Sequence, residues 1–316
     1  MERFTLAQAA EWTKGEAKGD VTLCAVSTDS RRIPQEALFL PLAGERFDGH
    51  DFIGKALENG AAAVMSHREC EEYPVPALYV ENTSQALLDL AGGYRTMCGG
   101  VVVGVTGSVG KTTTKELLYA VLSQGFRAQK TEGNLNNEIG LPLTLMRMTR
   151  DTEVLVAEMG MNHFHEIERL SRSANPNLAI VTKIGTSHIG ILGSRENIAR
   201  AKSEIVQGMR AADDFSPLLV LGGEDDFTPF IRDTFAAPAG VDVMLAGVSD
   251  DDEVCACDIH VDDEGRPVFT LDFGAGERIE TMLAIPGAQS VPNAVKAAAV
   301  GIRLGVTPEQ IDSAFR

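Results

Sequence analysis

The chain reads Thr106-Gly107-Ser108-Val109-Gly110-Lys111-Thr112-Thr113 directly after the apolar run Val101-Val102-Val103. A buried strand, a glycine-rich turn and a helix start form a phosphate cradle, because the free N–H groups of the helix start face the anion. Gly107 and Gly110 let the backbone approach phosphate oxygens closely. Lys111 can reach the outer phosphates, and the hydroxyl of Thr112 is placed to bind Mg²⁺. The stretch therefore predicts a nucleotide-binding loop over residues 106–113.

The loop departs from the strict P-loop spacing at one position. Val105 stands where the first glycine of that motif would fall, which leaves the shortened form Gly-x-x-Gly-Lys-Thr. The alternative is a glycine-rich turn that carries an unrelated lysine. The strand before the loop and the helix after it favour nucleotide binding.

Composition describes an ordinary globular protein of 316 residues, a length that predicts about two domains. The net charge of −17 argues against nucleic acid and anionic membrane surfaces as partners. The sequence has no apolar run long enough to span a bilayer, and its start lacks the features of a signal peptide. A cytoplasmic location is therefore expected, with reduced cysteines at positions 24, 70, 98, 255 and 257.

The distribution of strands and helices predicts an α/β protein with two domains. Residues 1–98 form a small α/β block that ends at Gly99-Gly100, and residues 99–316 form the block with the nucleotide loop. Apolar strands in the second block alternate with helices, which indicates a P-loop NTPase-like, mainly parallel sheet covered by helices on both faces. Residues 256–273 predict an antiparallel hairpin. The expected parallel strands cover 101–105, 153–158, 178–183, 217–221 and 241–246.

Polar residues cluster just beyond the ends of these strands, where a parallel sheet binds its ligands. Asn134, Asn136 and Asn137 suit amide hydrogen bonds to a polar ligand, although they also fit a simple turn. Glu158 follows a strand and suits Mg²⁺. His188 is either structural or a ligand beside a metal and phosphate site. Lys202 lies on a helix that starts near Ser194.

These motifs, in this order along the chain, resemble the Mur ligase family. The resemblance rests on residues 107–115, 133–142, 158–160, 188–194 and 201–205, and on Asp29-Ser30-Arg31 and Asp48-Gly49-His50 in the first block. It covers essentially the whole chain. The closest type in the family is the one that adds D-alanyl-D-alanine to UDP-N-acetylmuramoyl-tripeptide in peptidoglycan precursor synthesis.

The resemblance implies an ATP-dependent amide ligase that works through an acyl phosphate. The carboxylate of the tripeptide attacks the γ-phosphate of ATP, and the amine of D-alanyl-D-alanine then displaces phosphate. By similarity, Lys111, His188 and Lys202 are the catalytic residues. Thr112, Glu158, His188 and a carbamylated Lys202 would hold Mg²⁺. ATP would be bound by residues 106–113, Asn137 and Asn293, with both asparagines at the adenine. The uridine diphosphate end would be bound by Ser30, Arg31 and Asp48. The peptidyl sugar would be bound by Asn134 and Asn136.

The chain departs from the family pattern at several positions. Gln289 and Ser290 replace a usual His-Asn pair, Gly223 replaces an asparagine, and Lys183 stands where an asparagine is usual. The family's third domain would begin near Arg316, so this chain alone is expected to be inactive. A monomer is also expected. Three alternatives stay open: another amide ligase of the superfamily, a non-catalytic relative that binds nucleotide or UDP-sugar, and an unrelated nucleotide hydrolase, which the Asp-Ser-Arg block argues against.

Overall fold

A computed structural model describes residues 1–44, 47–68, 71–212 and 215–316. Their contacts divide the chain into two compact units. The first unit comprises Met1–Gly99 and Leu145–Arg150, and the second comprises Gly100–Thr144 and Asp151–Arg316. Cys70 lies outside the described residues; Cys24, Cys98, Cys255 and Cys257 carry free thiols.

The first unit is an α/β fold around a small sheet. Its strands are β1 (Phe4–Thr5), β2 (Glu16–Lys18), β3 (Thr22–Leu23), β4 (Ala25–Ser27), β5 (Ala37–Phe39), β6 (Ala63–Ser66) and β7 (Ala77–Tyr79). Its helices are α1 (Leu6–Thr13), α2 (Ile53–Glu58) and α3 (Thr83–Cys98). The sheet order is β2-β7-β6-β5-β4; β4 to β7 run parallel, and the edge strand β2 runs antiparallel to β7.

Hydrogen bonds to backbone groups fix the helices of this unit. Thr5 and Gln8 form a reciprocal capping box at the start of α1. Tyr94 on α3 is fully buried, and its hydroxyl donates to the carbonyl of Met148 at 2.8 Å. This contact attaches Leu145–Arg150 to the first unit, an excursion that the sequence did not reveal.

The second unit contains the nucleotide loop. Its strands are β8 (Val101–Thr106), β9 (Ala128–Lys130), β10 (Val154–Glu158), β11 (Leu178–Val181), β12 (Leu218–Leu221), β13 (Asp242–Gly247), β14 (Val254–Val261), β15 (Pro267–Asp272) and β16 (Arg278–Met282). Its helices are α4 (Lys111–Leu122), α5 (Gly140–Leu145, which reaches the first unit at its last residue), α6 (Glu166–Ala174), α7 (Ile189–Leu192), α8 (Arg195–Ser203), α9 (Thr228–Ile231), α10 (Val291–Arg303) and α11 (Pro308–Phe315).

The large sheet of this unit has the order β16-β15-β14-β13-β12-β11-β8-β10-β9. Strands β8 to β14 pair in parallel, and β15 and β16 are antiparallel. Every parallel strand that the sequence predicted for residues 99–316 lies in this sheet, and the predicted hairpin is β14–β15. The sequence missed both edge strands, β9 and β16, because short partly polar segments carry little periodicity.

Helices cover both faces of the large sheet, in agreement with the predicted fold class. On one face, Val103 and Val105 pack in a core with Leu118 of α4 and Val295 of α10. On the other face, a Cβ at Gly104 would lie 3.0 Å from Ile205, in the 3₁₀ turn that follows α8. Parallel pairing places the carboxyl ends of β8, β10, β11 and β12 along one edge, where their loops can hold a ligand. Among the described residues, the helices are all too short or too polar to cross a bilayer.

Candidate functional site

The predicted nucleotide loop joins β8 directly to α4. Gly107 has φ +148° and Gly110 has φ +87°, values that side chains other than glycine adopt with strain. A Cβ at Gly107 would lie only 1.9 Å from the hydroxyl oxygen of Thr182. Both glycines are therefore required by the loop conformation, and the loop leaves the N-terminal N–H groups of α4 open for an anion.

Three hydrogen bonds attach the loop to the segment after β11. The N–H of Ser108 donates to the carbonyl of Lys183 at 2.8 Å, and the hydroxyl of Thr182 donates to the carbonyl of Val109 at 2.6 Å. Ser187 donates through its hydroxyl to the carbonyl of Ser108 at 3.1 Å. These bonds fix the loop against that segment, which lowers the entropic cost of ordering it when a ligand binds.

Lys111 is the charged residue of the loop. Its Nζ donates to the carbonyl of Gly107 at 2.9 Å, so the ammonium folds back over the glycine turn. Burial lowers the pKa of Lys111, and the nearby Glu158 carboxylate opposes that shift. An ammonium held over a ring of N–H donors is suited to the outer phosphates of a nucleotide.

Two hydroxyl groups of the loop lack a protein partner. Within the described ranges, Thr106 Oγ1 and Ser108 Oγ are buried and have no hydrogen-bond partner. Buried hydroxyls are normally bonded, so such atoms at a phosphate-type loop fit a site that is completed by a polar ligand.

Glu158 is the buried centre of a polar network at the end of β10. It is 2% exposed, and the hydroxyl of Thr112 donates to its Oε2 at 3.2 Å. Its Oε1 accepts a hydrogen bond from the Asn136 side-chain amide at 2.8 Å. Lys115, which is 1% exposed, lies 3.5 Å from Oε2 through its Nζ. The structure therefore brings together Thr112, Glu158 and Asn136 and adds Lys115, which the sequence analysis did not assign a role.

The asparagine segment lies beside Glu158. Gly160 donates its N–H to the carbonyl of Asn136 at 2.8 Å, and a Cβ at Gly160 would lie 3.0 Å from the Asn136 side chain. Asn137 is exposed and uses its side-chain oxygen to accept the N–H of Gly140 at 2.8 Å, at the start of α5. Asn134 is exposed. Of the three asparagines, Asn136 is the one in the Glu158 network.

Lys202 and His188 differ in burial. Lys202 on α8 is 1% exposed, and burial together with the charge of Lys111 lowers its pKa to about 7. His188 has φ +66° and is half-buried. Its pKa is lowered, first by burial and then by the positive charges of Lys202 and Lys111. These electrostatic couplings mean that Lys111, His188 and Lys202 share one environment.

The start of α10 packs against the nucleotide loop. A Cβ at Gly110 would lie 2.8 Å from the Asn293 side-chain oxygen, so this asparagine contacts the loop. One turn later, the fully buried Lys296 donates to Glu224 Oε1 at 3.2 Å. A Cβ at Gly223 would lie 2.1 Å from Asp252 Oδ1, so a larger residue there would require the carboxylate to move. The departure from the family at position 223 thus lies beside Asp252.

An apolar cavity of about 330 Å³ lies against the first turns of α4. It is lined by Thr112, Thr113, Glu116, Leu117, Ala120, Ala284, Ile285, Ala314 and Phe315. Its walls include Thr112 and Thr113, the two residues that follow Lys111 on α4.

In the first unit, the predicted uridine diphosphate residues have different surroundings. Asp48 bonds through Oδ1 to His50 Nδ1 at 2.6 Å and through Oδ2 to Arg68 at 2.8 Å. Hydrogen bonds from His50 and Arg68 hold the pKa of Asp48 well below its usual range. Arg31 is exposed and pairs with Asp29 at 2.9 Å, and Ser30 is buried. Arg68, on the segment after β6, was not predicted as a site residue, because it belongs to no recognisable sequence motif.

Models of known protein families match both parts of this chain. The Mur ligase middle domain matches residues 105–301, and the model described as Mur ligase family, catalytic domain, matches residues 23–95. The chain belongs to the Mur ligase family.

Named relatives align over nearly the whole chain. The UDP-N-acetylmuramoyl-tripeptide–D-alanyl-D-alanine ligase of Bacillus subtilis is 39% identical over 98% of this chain and 66% of its own length. The enzyme of that name from Escherichia coli is 34% identical over 98% of this chain and 67% of its own length. The chain thus spans about two thirds of the relatives it matches.

Solved structures show the same fold. A crystal structure of MurF from Acinetobacter baumannii superposes with a TM-score of 0.90 at 32% identity and covers 100% of this chain and 68% of that one. MurF ligase from Thermotoga maritima in complex with ADP has a TM-score of 0.78 at 29% identity, over 92% of this chain and 65% of that one.

Proposed function

We propose that the chain forms the ATP- and substrate-binding part of a ligase that joins D-alanyl-D-alanine to UDP-N-acetylmuramoyl-tripeptide. The observation that carries the proposal is the convergence of Lys111, the Thr112–Glu158 pair and the buried Lys202 at one edge of the large sheet. A phosphate loop beside a carboxylate and a low-pKa lysine provides groups suited to phosphoryl transfer from a nucleotide. Relatives at 39% and 34% identity carry the name of this ligase.

ATP is the proposed nucleotide, bound by residues 106–113 of the second unit. The open N–H groups before α4, the Lys111 ammonium and the unpartnered Ser108 hydroxyl suit its phosphates. Asn293 lies against Gly110, within reach of a nucleotide held by the loop. A relative of the same fold is known in complex with ADP.

Mg²⁺ is the proposed cation, and its ligands would be the Thr112 hydroxyl and the Glu158 carboxylate. The donor set fits, because both are oxygen ligands and they already face each other at 3.2 Å. His188 and Lys202 would hold a second cation once Lys202 carries a carbamate, which turns a cation into an oxygen ligand. The bound cation supplies neutralisation of phosphate charge.

The residues of this chain would assist two successive nucleophilic attacks. The tripeptide carboxylate attacks the γ-phosphorus and ADP departs, and the resulting acyl phosphate is then attacked by the amine of D-alanyl-D-alanine with release of phosphate. Lys111 and the loop N–H groups reduce the repulsion between two anions and orient the phosphates. The rigid attachment of the loop to Thr182 and Lys183 maintains that orientation.

The first unit, approximately residues 1–98, is the proposed site of the uridine diphosphate end. Ser30, Arg31 and Asp48 lie after strands β4 and β5, at the carboxyl edge where a parallel sheet binds ligands. Asn134 and Asn136 in the second unit would contact the peptidyl sugar, and Asn137 the adenine. We also expect the protein to be cytoplasmic and monomeric. Light scattering of the purified protein would test the oligomeric state.

Calorimetry with separate ligands tests the proposal. We expect one equivalent of Mg·ATP and one of UDP-N-acetylmuramoyl-tripeptide to bind, and the Lys111→Met variant to lose only the first. Binding of the UDP-sugar without any ATP binding would support the non-catalytic alternative. Rapid ATP hydrolysis in the absence of the UDP-sugar would support an unrelated hydrolase.

A further inference from the structure

Lys115 is a buried cation that the proposed mechanism does not use. It lies one helical turn after Lys111 on α4 and is 1% exposed. Its Nζ donates to the carbonyl of Gly133 at 3.2 Å and lies 3.5 Å from Glu158 Oε2. The same carboxylate oxygen accepts the hydrogen bond from Thr112. The ammonium therefore stands at the oxygen that would face the cation.

The charges around Glu158 do not favour a free divalent cation. Lys111 and Lys115 contribute two positive charges, and Glu158 contributes one negative charge. Lys202 adds no negative charge while its amine is unmodified. Glu116 is also within 3.4 Å of Lys115, but it is half exposed and pairs with Lys130 on its other side. Two ammonium groups near one buried carboxylate repel a divalent cation that arrives alone.

A nucleotide reverses this balance. The phosphates of ADP or ATP bring two or more negative charges to the loop, next to Lys111. The cation can then bind between the phosphates and the Glu158 carboxylate, with Lys115 still held by the carbonyl of Gly133.

We propose that Lys115 makes cation binding at Glu158 dependent on bound nucleotide, so that the metal enters together with ATP. This inference rests on the proposed function, because it assumes that the loop binds a nucleotide and that Glu158 holds the cation. Lys115 is a positioning residue in this scheme, since it acts on the Glu158 carboxylate and contacts neither substrate nor the reacting atoms.

Binding of Mn²⁺, followed by electron paramagnetic resonance in bicarbonate-free buffer, tests the inference without an activity assay. For the wild-type chain, we expect the Mn²⁺ affinity to be at least about tenfold higher with saturating ADP than without nucleotide. The Mn²⁺ that free ADP binds in the absence of protein is subtracted. Lys115→Met should tighten nucleotide-free Mn²⁺ binding at least about tenfold, because it removes the repelling charge. Adding Glu158→Gln to Lys115→Met should abolish the gain in Mn²⁺ affinity. That loss would assign the gain to the Glu158 site rather than to another part of the chain.

Lys130→Met is the matched control. It removes one positive charge from the same neighbourhood, but Lys130 pairs with Glu116, whereas Lys115 lies beside Glu158. It should leave nucleotide-free Mn²⁺ binding at the wild-type value. Lys115→Gln retains a donor for Gly133 and serves if the Met variant fails to fold; the same gain is expected for it.

Two results would overturn the inference alone. One is nucleotide-free Mn²⁺ binding by the wild-type chain as tight as that with ADP, a comparison that needs no variant. The other is a folded Lys115 variant that binds free Mn²⁺ no better than the wild-type chain. Failure of the wild-type chain to bind Mn²⁺ even with ADP or ATP would overturn the proposed function as well.

Discussion

The hydroxyl of Thr112 donates a hydrogen bond to Oε2 of Glu158 at 3.2 Å, across 46 positions of sequence. The two residues meet because parallel pairing of β8 and β10 aligns Val105 with Glu158, so that both strands end at the same edge. A hydroxyl at the helix start and a carboxylate at the neighbouring strand end thus form the pair of oxygen ligands that the proposed magnesium site needs.

Lys202 should react with carbon dioxide at neutral pH. Its amine is buried and its pKa is lowered to about 7, so a large fraction is neutral and nucleophilic at pH 7.5. We expect a carbamate resonance in the carbon-13 NMR spectrum of protein incubated with labelled bicarbonate. The signal should disappear in Lys202→Met and persist in Lys55→Met, which removes an exposed lysine. An unchanged spectrum for Lys202→Met would contradict the assignment.

Gly223→Ala should destabilise the second unit by about 1–3 kcal/mol, because the added Cβ would lie 2.1 Å from Asp252 Oδ1. Thermal unfolding measures the loss. The double variant Gly223→Ala with Asp252→Ala should be less destabilised than the sum of the two single variants, since the clashing carboxylate is gone. Simple additivity would show that the two positions are not coupled.

Asp48→Asn should lower the stability of the first unit in a pH-dependent manner. Hydrogen bonds with His50 and Arg68 depress the pKa of Asp48 in the folded state. A depressed carboxyl pKa stabilises the fold above the unfolded-state pKa, and this contribution is lost as the pH falls. The difference in melting temperature between wild type and variant should therefore be largest near pH 7 and shrink toward pH 3. A difference that grows on acidification would refute the ion-pair explanation.

Ser194→Ala should cost about 1 kcal/mol of stability, because the Ser194 hydroxyl accepts the N–H of Asn197 at the start of α8. The helix carries Lys202, so the loss should also weaken the carbamate signal of that lysine. Thr307→Ala removes the equivalent cap of α11, which does not carry Lys202, and should reduce stability while leaving the carbamate signal intact.

Much of the fold followed from the sequence because its signals are local. Apolar strand runs and the glycine turn before Lys111 each act within a few residues. The order of strands in the sheet and the return of Leu145–Arg150 to the first unit depend on contacts between distant residues, such as Tyr94 with Met148. No short pattern contains that information.

The candidate site, like the fold, could be predicted from the sequence only where its signals are local. Lys111, Thr112 and Glu158 could be named from motifs, but the role of Lys115 emerged only once its ammonium was seen beside Glu158 and Gly133. A buried lysine on a helix looks like a solvated one in sequence, because burial is decided by neighbours from other segments. Likewise, the close approach of Gly223 to Asp252 is visible only in the structure.

Nucleotide binding by the loop at residues 106–113 is tested most directly by calorimetric binding of Mg·ATP to the wild-type chain and to Lys111→Met, with Lys130→Met as a folded control for the loss of one charge. We predict that Lys111→Met weakens ATP binding at least about 100-fold while Lys130→Met keeps it, since charged hydrogen bonds to phosphate at a preformed loop are among the strong ones. Equal ATP affinity for the Lys111→Met variant and the wild-type chain would contradict nucleotide binding by this loop.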